Sequence, residues 1–293
     1  YKITCQCGQE TVSAFPANVK SSVSYDCNIE GLIGYFHSRQ YIPFARLQEL
    51  FRDIFNLPIS EGGLHYLLER LTTKSLPAYE MIRHAVLKSP VIGSDETGIK
   101  INGKLNWFWT WQNKLYTLIS VSKNRGAETI FQNCGQEAKH SILVHDCWKP
   151  HFKTTVAGHQ LCTAHLLREL NYLQEKDKID WPKNVQELLM KAIELKKKME
   201  PGDYNQYHEE RKKLEDELTE ILNIGIDEKC KETITFQKRL IKYKPYIFTF
   251  LYHPKVPPDN NASERAIRNV KVKQKVSGQF KSDQGANKFA ILR

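Results

Sequence analysis

The apolar positions of the first ninety residues predict a short strand-and-turn segment followed by helices. Residues 1–24 have the pattern of short strands and turns, whereas apolar residues recur at helical spacing over residues 25–90. Ser60 is a suitable N-cap for a helix that continues to Leu71. This pattern is compatible with a helix-turn-helix that uses Ser60–Arg70 as its recognition helix, and equally with a plain helical bundle packed against the next domain.

From about Val91 the apolar residues alternate with a period of two, which predicts a sheet. The pattern indicates three antiparallel strands, the first two of them joined by a turn at Asn102 and Gly103. A helix, a fourth strand, a fifth short strand and a second helix follow. The predicted ranges are 91–99, 105–112 and 115–122 for the first three strands, 126–133 for the helix, and 141–145 and 159–162 for the last two strands.

Most of the remaining chain returns to helical spacing. Residues 171–256 are rich in Lys and Glu and carry apolar stripes, which predicts an all-helical insertion with solvated faces. After Pro258 the spacing predicts a helix from Asn260 to about Val272, then a basic loop and a final helix. The predicted organisation therefore has five segments, which are 1–24, 25–90, 91–170, 171–256 and 257–293.

The composition is that of a soluble globular protein. Of the 293 residues, 41% are hydrophobic and 26% are charged, and no apolar run approaches the ~20 residues that a membrane span requires. Seven scattered cysteines do not favour a disulfide scaffold, so we expect a reducing, cytoplasmic compartment. The chain starts without Met and stops within an apolar-periodic stretch, so we interpret it as a fragment of a longer protein.

The net charge of +10 is unevenly distributed. Residues 257–293 contain eight basic and three acidic side chains, so half of the excess positive charge lies in this last segment. A local basic excess predicts a polyanionic partner, because each Lys or Arg that meets a phosphate releases a counterion. A solvated basic face would have the same composition.

The order of the predicted elements from Val91 onwards is that of a ribonuclease H-like sheet. Such folds hold metal ions with carboxylates on the first strand, at the end of the fourth strand and on a late helix. The sequence offers Asp95, Asp146 and Glu264 at these places. Carboxylates are the ligands that Mg²⁺ prefers, and two such ions ~3.5–4 Å apart can catalyse in-line phosphoryl transfer. We therefore predict an α/β fold with a ribonuclease H-like mixed sheet and a helical insertion, preceded by a helix-turn-helix-like α-helical region.

The late helix combines a carboxylate with several DNA-binding candidates. Asn261, Glu264, Arg265 and Arg268 share one helix face, so a metal ligand would lie beside guanidinium groups that suit phosphates. Each feature alone also has a structural explanation, such as an intrahelical ion pair between Glu264 and Arg268 worth only ~0.3–0.5 kcal/mol. The DNA-binding side chains predicted on this segment are Arg265, Arg268, Lys271, Lys273, Lys275 and Asn261.

Three sequence blocks resemble the catalytic blocks of the insertion-sequence-66 family of DDE transposases. They are Ser94–Thr97 (Ser-Asp-Glu-Thr), Val144–Trp148 (Val-His-Asp-Cys-Trp) and Asp259–Arg268 (Asp-Asn-Asn-Ala-Ser-Glu-Arg-Ala-Ile-Arg). Residues 1–8 are similar to the end of that family's zinc-binding segment, and residues 162–166 to the block that follows its second Asp. The resemblance covers nearly the whole chain.

The resemblance implies a DNA transposase that cleaves and joins strands at insertion-sequence ends, with Asp95, Asp146 and Glu264 as its catalytic, metal-binding triad. It further implies two Mg²⁺ or Mn²⁺ ions per active site, transposon-end and target DNA as partners, a homo-oligomer assembled on DNA, accessory proteins, no membrane, and the bacterial cytoplasm or nucleoid. The alternative is a non-catalytic DNA-binding protein, either a domesticated transposase or a helix-turn-helix regulator. A decayed copy should have lost a carboxylate, and this sequence retains all three.

Two cysteine motifs have the spacing of metal ligands. Cys5 and Cys7 resemble half of a zinc knuckle, but zinc requires four ligands and only Cys27 follows nearby. Zn²⁺ is therefore expected there only in an intact N-terminal segment. Cys162 and His165 also have metal-ligand spacing, but no second pair of possible ligands accompanies them. The sequence therefore favours a structural role beside the active site and disfavours zinc binding.

Overall fold

The computed structural model describes residues 2–14 and 24–293, and the chain divides into two compact units, residues 1–74 and 75–293. The predicted segment 1–24 thus lies partly outside the described residues. Within the first unit, the exposed Cys5 and Cys7 lie in the turn of a hairpin, and Asp26 caps the first helix. The elements that begin in this unit are β1 (Lys2–Thr4), β2 (Glu10–Val12), α1 (Cys27–Gly34), α2 (Phe44–Phe55) and α3 (Glu61–Leu87).

Helix α3 begins where the sequence predicts but extends much further. The Ser60 side chain accepts a hydrogen bond from the Gly63 backbone N–H at 3.1 Å, as expected of an N-cap. The helix then passes Leu71, its predicted end, and continues through Pro77 to Leu87. Val86 and Leu87 at its end are fully buried, so packing stabilises the extension beyond the predicted end. The boundary between the two compact units therefore falls inside α3 and not at residue 90.

The second unit contains a five-stranded mixed sheet with the order β5-β4-β3-β6-β7. Strands β3, β4 and β5 are antiparallel neighbours, whereas β6 pairs in parallel with both β3 and β7. The β3–β4 turn uses Asn102 and Gly103, both with positive φ, as the predicted hairpin requires. The bounds are β3 (Val91–Ile101), β4 (Lys104–Gln112), β5 (Thr117–Ser122), α4 (Ala127–Cys134), β6 (Ile142–His145) and β7 (Gly158–Leu161).

Helices cover the sheet and form the insertion. Residues 171–256 contain helices and no strand, which confirms the predicted all-helical insertion. The helix predicted to end near Val272 continues to Ser277, so the basic loop after it is shorter than expected. The bounds are α5 (Thr163–Asp177), α6 (Asp180–Lys198), α7 (His208–Leu222), α8 (Lys231–Tyr243), α9 (Asn261–Ser277) and α10 (Asp283–Leu292).

These elements confirm the predicted fold class, which is a mixed α/β protein with a ribonuclease H-like core and additional helical regions. One buried cluster lies around Trp109 and Trp111 of β4, and a larger one joins β6 and β7 to the helical insertion. No helix among the described residues is long and apolar enough to cross a lipid bilayer.

Candidate active site

Strand β3 directs its polar side chains to two opposite sides of the sheet. Gly93 and Asp95 face α9, because a Cβ built on Gly93 would meet the Asn260 and Ser263 side chains at 2.5 and 2.6 Å. Ser94 and Glu96 point the other way, towards His151, whose Nε2 lies 3.3 Å from the Ser94 hydroxyl and 4.0 Å from Glu96 Oε2. The strand thus carries adjacent carboxyl groups on both faces.

The Asp95 carboxyl is buried among negative charges. Burial is the main cause that raises its pKa to about 7, and the charges of Glu96, Asp146 and Glu264 raise it further. Asp95 Oδ1 accepts a hydrogen bond from the Glu96 backbone N–H at 3.0 Å, which opposes this rise. The two other predicted carboxylates are therefore close enough to Asp95 to influence its titration.

Glu96 is a second buried carboxyl group in this region, and the sequence assigned it no role. Its Oε1 accepts a hydrogen bond from Arg125 Nε at 2.7 Å, while its buried Oε2 has no hydrogen-bond partner. Arg125 is itself held between the rings of Trp107 and Trp148. Burial and the Asp146 charge raise the pKa of Glu96 to about 7, although Arg125 opposes them.

Asp146 follows β6 and lies beside a group of buried histidines. Its Oδ1 accepts a hydrogen bond from the Trp148 backbone N–H at 3.0 Å and lies 3.6 Å from His151 Nδ1. The His145 ring stacks on His151 and its Nε2 lies 3.0 Å from His159 Nδ1. Burial lowers the pKa of His151 and His159 to about 4 and that of His145 well below its usual value, so these rings are neutral at pH 7.

Glu264 lies in the first turn of α9 with partners from α5. Arg168 Nη2 donates to Glu264 Oε1 at 2.6 Å, and His165 Nδ1 lies 3.4 Å from the same oxygen. Cys162, the residue before α5, accepts a hydrogen bond from the Asn260 backbone N–H at its Sγ. The sequence associated Cys162 and His165 with the active site, and the structure brings both of them to Glu264.

Two groups of three residues have the geometry of a metal site. Among the described residues, the ligand atoms lie within 4.8 Å of one another in the group His145, Asp146 and His151 and in the group Cys162, His165 and Glu264. Asp95, Asp146 and Glu264 do not form such a group. The structure thus brings the three carboxylates to one region without closing them into one coordination sphere. Among the described residues, Glu96 Oε2 is a buried carboxylate oxygen without a hydrogen-bond partner, and an oxygen of this kind suits a hard divalent cation.

The contact between β3 and α9 positions Glu264 relative to Asp95. Asn260 Nδ2 donates to the Ser94 carbonyl oxygen at 2.7 Å, and Lys271 Nζ donates to the Gly98 carbonyl oxygen at 2.7 Å. The helix approaches so closely because Gly93 has no Cβ. The distance between the first and third predicted carboxylates therefore depends on this glycine.

Gly93→Ala should lower the stability of the protein. The added methyl group would overlap the Asn260 and Ser263 side chains, and such overpacking costs about 1–3 kcal/mol. Urea unfolding of the variant and the wild type would measure the effect. Gly98→Ala on the same strand is the control, because its Cβ would meet the flexible end of Leu105 at 3.2 Å and the Trp107 ring at an ordinary van der Waals distance of 3.6 Å. Equal behaviour of the two variants would contradict the proposed role of Gly93.

The predicted DNA-binding side chains of α9 have different environments. Arg265, Arg268 and Lys275 are exposed, whereas Lys273 is buried. Burial lowers the pKa of Lys273 to about 8. One side of α9 packs along β3 and β4, and the Lys273 side chain is buried on that side. Lys273 is therefore not available to a DNA-facing surface. Lys271 is half-buried and bonded to Gly98, and Asn261 is half-buried in the first turn.

The buried titratable groups should give the metal-free protein two opposing dependences of stability on pH. The pKa values of Asp95 and Glu96 are about 7 when folded, against 3.8 and 4.5 ordinarily, so these groups destabilise the folded state as the pH rises from about 4 to 7. The pKa values of His151 and His159 are about 4 when folded, against 6.5 ordinarily. These histidines therefore add to the free energy of unfolding, and their stabilising contribution is complete above pH 6.5 and is lost as the pH falls towards 4.

The double variant Asp95→Asn/Glu96→Gln should remove the first dependence and leave the second. Between pH 7 and pH 4.5 its free energy of unfolding should fall by about 5 kcal/mol more than that of the wild type, since each of the two carboxyl groups contributes roughly 2–3 kcal/mol over this range. Urea titrations in a chelator at several pH values measure this difference. Parallel pH profiles for the two proteins would contradict the assignment of buried, protonatable carboxyl groups.

Comparison with known proteins identifies the family. A family model described as "Transposase IS66 family" matches residues 25–288, which include all of the site described above. A comparison with curated proteins gave no match. Transposases act on DNA and those of the DDE type generally use divalent metal ions, in agreement with the carboxyl-rich site. Since the matched region is most of the chain, this protein belongs to the IS66 family of transposases.

Proposed function

We propose that this protein cleaves DNA strands at insertion-sequence ends and joins them to target DNA, with Asp95, Asp146 and Glu264 as its metal-binding carboxylates. The observation that carries the proposal is the environment of Asp95. Burial, together with the charges of three neighbouring carboxylates, raises its pKa to about 7, so the charged form is unfavourable unless cations compensate it. Divalent cations, when bound, supply the positive charge that stabilises an in-line phosphoryl transfer.

The other residues of the site orient these carboxylates. Arg125 fixes Glu96, and the neutral His151 lies against Asp146 from the buried side. Asn260 and Gly93 hold the start of α9 against β3, so that Glu264 stays near Asp95. The exposed Arg265 and Arg268 lie next to Glu264 in the sequence and on the same helix, where their guanidinium groups would bind the phosphates of the DNA.

The test is strand cleavage of a duplex that carries the element end, by the full-length protein, in Mg²⁺, in Mn²⁺ and in a chelator. We expect cleavage with either ion and none in the chelator. Cleavage that persists in the chelator would contradict the role of the carboxylates. Specific DNA binding without cleavage under any of these conditions would favour the alternative, a DNA-binding protein without catalysis.

The exposed basic residues of α9 should contribute to DNA affinity through phosphate contacts. Alanine at Arg265, Arg268 or Lys275 should flatten the slope of log K against log salt concentration by ~0.9 for each duplex contact removed. Fluorescence anisotropy over a range of salt concentrations measures this slope. Lys212→Ala is the matched control, because Lys212 is exposed on the helical insertion. Slopes that match the wild type in all three arginine and lysine variants would show that DNA binds elsewhere.

We also propose that the protein assembles as a homo-oligomer on DNA, since joining two element ends to one target requires two active sites in one complex. The same proposal includes accessory proteins as further partners in the DNA-bound complex. Light scattering with and without end duplexes tests the assembly, and a monomer in both conditions would contradict it.

A further inference from the structure

Cys162, His165 and Glu264 form a cluster that the proposed reaction does not use as a unit. Their Sγ, Nδ1 and carboxylate oxygen atoms lie within 4.8 Å of one another. Two helix starts hold the cluster, since Cys162 precedes α5, His165 lies in the first turn of α5, and Glu264 lies in the first turn of α9. The Thr163 backbone N–H donates to the Pro258 carbonyl oxygen at 3.0 Å, which fixes the two starts to each other. The donor atoms are therefore held by rigid elements.

One of the three donor atoms, His165 Nδ1, has no hydrogen-bond partner among the described residues of the polypeptide. This buried atom faces Glu264 Oε1 at 3.4 Å. Two ligands bound at normal Zn–N and Zn–O distances in a tetrahedral site are also ~3.4 Å apart. A cation between these two atoms would thus need little rearrangement. Cys162 Sγ, which accepts the Asn260 N–H at 3.2 Å, completes a set of three different donors.

We propose that Cys162, His165 and Glu264 bind a borderline-soft divalent cation such as Zn²⁺, with solvent in the remaining position. Sulfur and imidazole donors select such ions, whereas Mg²⁺ prefers sites made of oxygen alone. On binding, the Cys162 thiol releases its proton to solvent and the thiolate bonds to the metal. The protein therefore offers two donor sets of different chemistry that share one residue, Glu264.

Because the two donor sets share Glu264, a bound Zn²⁺ should regulate the carboxylate site of Asp95, Asp146 and Glu264. The carboxylate cannot serve a zinc ion beside His165 and also complete the set with Asp95 and Asp146, so Zn²⁺ should inhibit strand cleavage. This consequence rests on the proposed function, whereas the binding itself does not. Arg168, which donates to Glu264 Oε1 at 2.6 Å, competes with the cation. Its side chain is 56% exposed, so it can move into solvent when the ion binds.

The binding test uses Co²⁺ as a spectroscopic probe, because cobalt bound to a thiolate has a charge-transfer band. The protein is the full chain with Cys5, Cys7 and Cys27 replaced by Ser, so that its exposed cysteines do not contribute. We expect one equivalent of Co²⁺ to give the band and Zn²⁺ to displace it. Cys162→Ser should remove the band, and His165→Gln should weaken binding by more than about tenfold. Cys230→Ser, in the helical insertion, is the matched control and should keep the band.

Arg168→Gln gives a second measurement in the opposite direction, because loss of the competing guanidinium should tighten Co²⁺ binding. Circular dichroism and thermal melting of each variant establish that it is folded. The absence of a charge-transfer band in the starting protein, or an unchanged band in both the Cys162 and the His165 variants, would overturn the site. Binding of Zn²⁺ without inhibition of Mg²⁺-dependent cleavage would overturn its regulatory effect. A protein that never cleaves DNA contradicts the proposed function alone, since the cobalt measurement does not depend on cleavage.

Discussion

Asp95→Asn should abolish DNA strand cleavage, by about three orders of magnitude or more, while DNA binding remains largely intact. An amide is a neutral and weaker ligand for a hard dication, so the variant loses the metal that the reaction requires. Carboxylates repel phosphates, and basic side chains supply the affinity for DNA, so binding depends little on Asp95. Asp146→Asn and Glu264→Gln should have the same effect. The losses should not add, because each substitution disables the same unit.

Asp216→Asn is the matched control for these variants, because Asp216 is an exposed carboxylate on the helical insertion. Cleavage of an end duplex in Mg²⁺ and anisotropy with the same duplex measure the two properties separately. A near-wild-type cleavage rate in any of the three site variants would remove that residue from the proposed catalytic set. Equal loss of binding and cleavage would instead indicate that the substitution disrupted the fold.

Trp109→Ala should destabilise the second unit by about 3–5 kcal/mol, the usual cost of truncating a large buried aromatic side chain. Trp109 is fully buried, stacks on Trp111 with ring centroids 5.8 Å apart, and meets the His151 ring edge-on at 5.9 Å. The cavity would therefore remove support from the core and from the histidine next to Asp146. We expect a lower midpoint in urea unfolding and, in the folded fraction, slower strand cleavage.

Trp109→Phe is the conservative comparison. It keeps an aromatic ring in the core and loses the indole N–H, which donates to Ser122 Oγ at 3.1 Å, a bond worth about 1 kcal/mol. Both variants lose this hydrogen bond, so the difference between their free energies of unfolding reports the loss of aromatic packing. An alanine variant no less stable than the phenylalanine variant would contradict the assignment of Trp109 to the core.

The strands and their order along the chain were predictable from the sequence. The alternating pattern around Asp95 and the turn at Asn102 predicted β3 and β4 to within two residues, because a half-buried strand and a two-residue hairpin leave a local signature. Helix ends were less predictable. Helix α3 passes Leu71 because its later turns pack in the core, and no cap or break in the local sequence records that packing.

The sequence by itself determined which carboxylates to consider and on which elements they lie, because the motifs around Asp95, Asp146 and Glu264 are local in the chain. Only the tertiary structure decided their surroundings. It buried Glu96 beside Arg125, removed Lys273 from the surface and brought His165 to Glu264. These results depend on contacts between residues that are far apart in the chain. Burial and the resulting pKa shifts arise only when the sheet, α5 and α9 are packed together, so no local pattern could have predicted them.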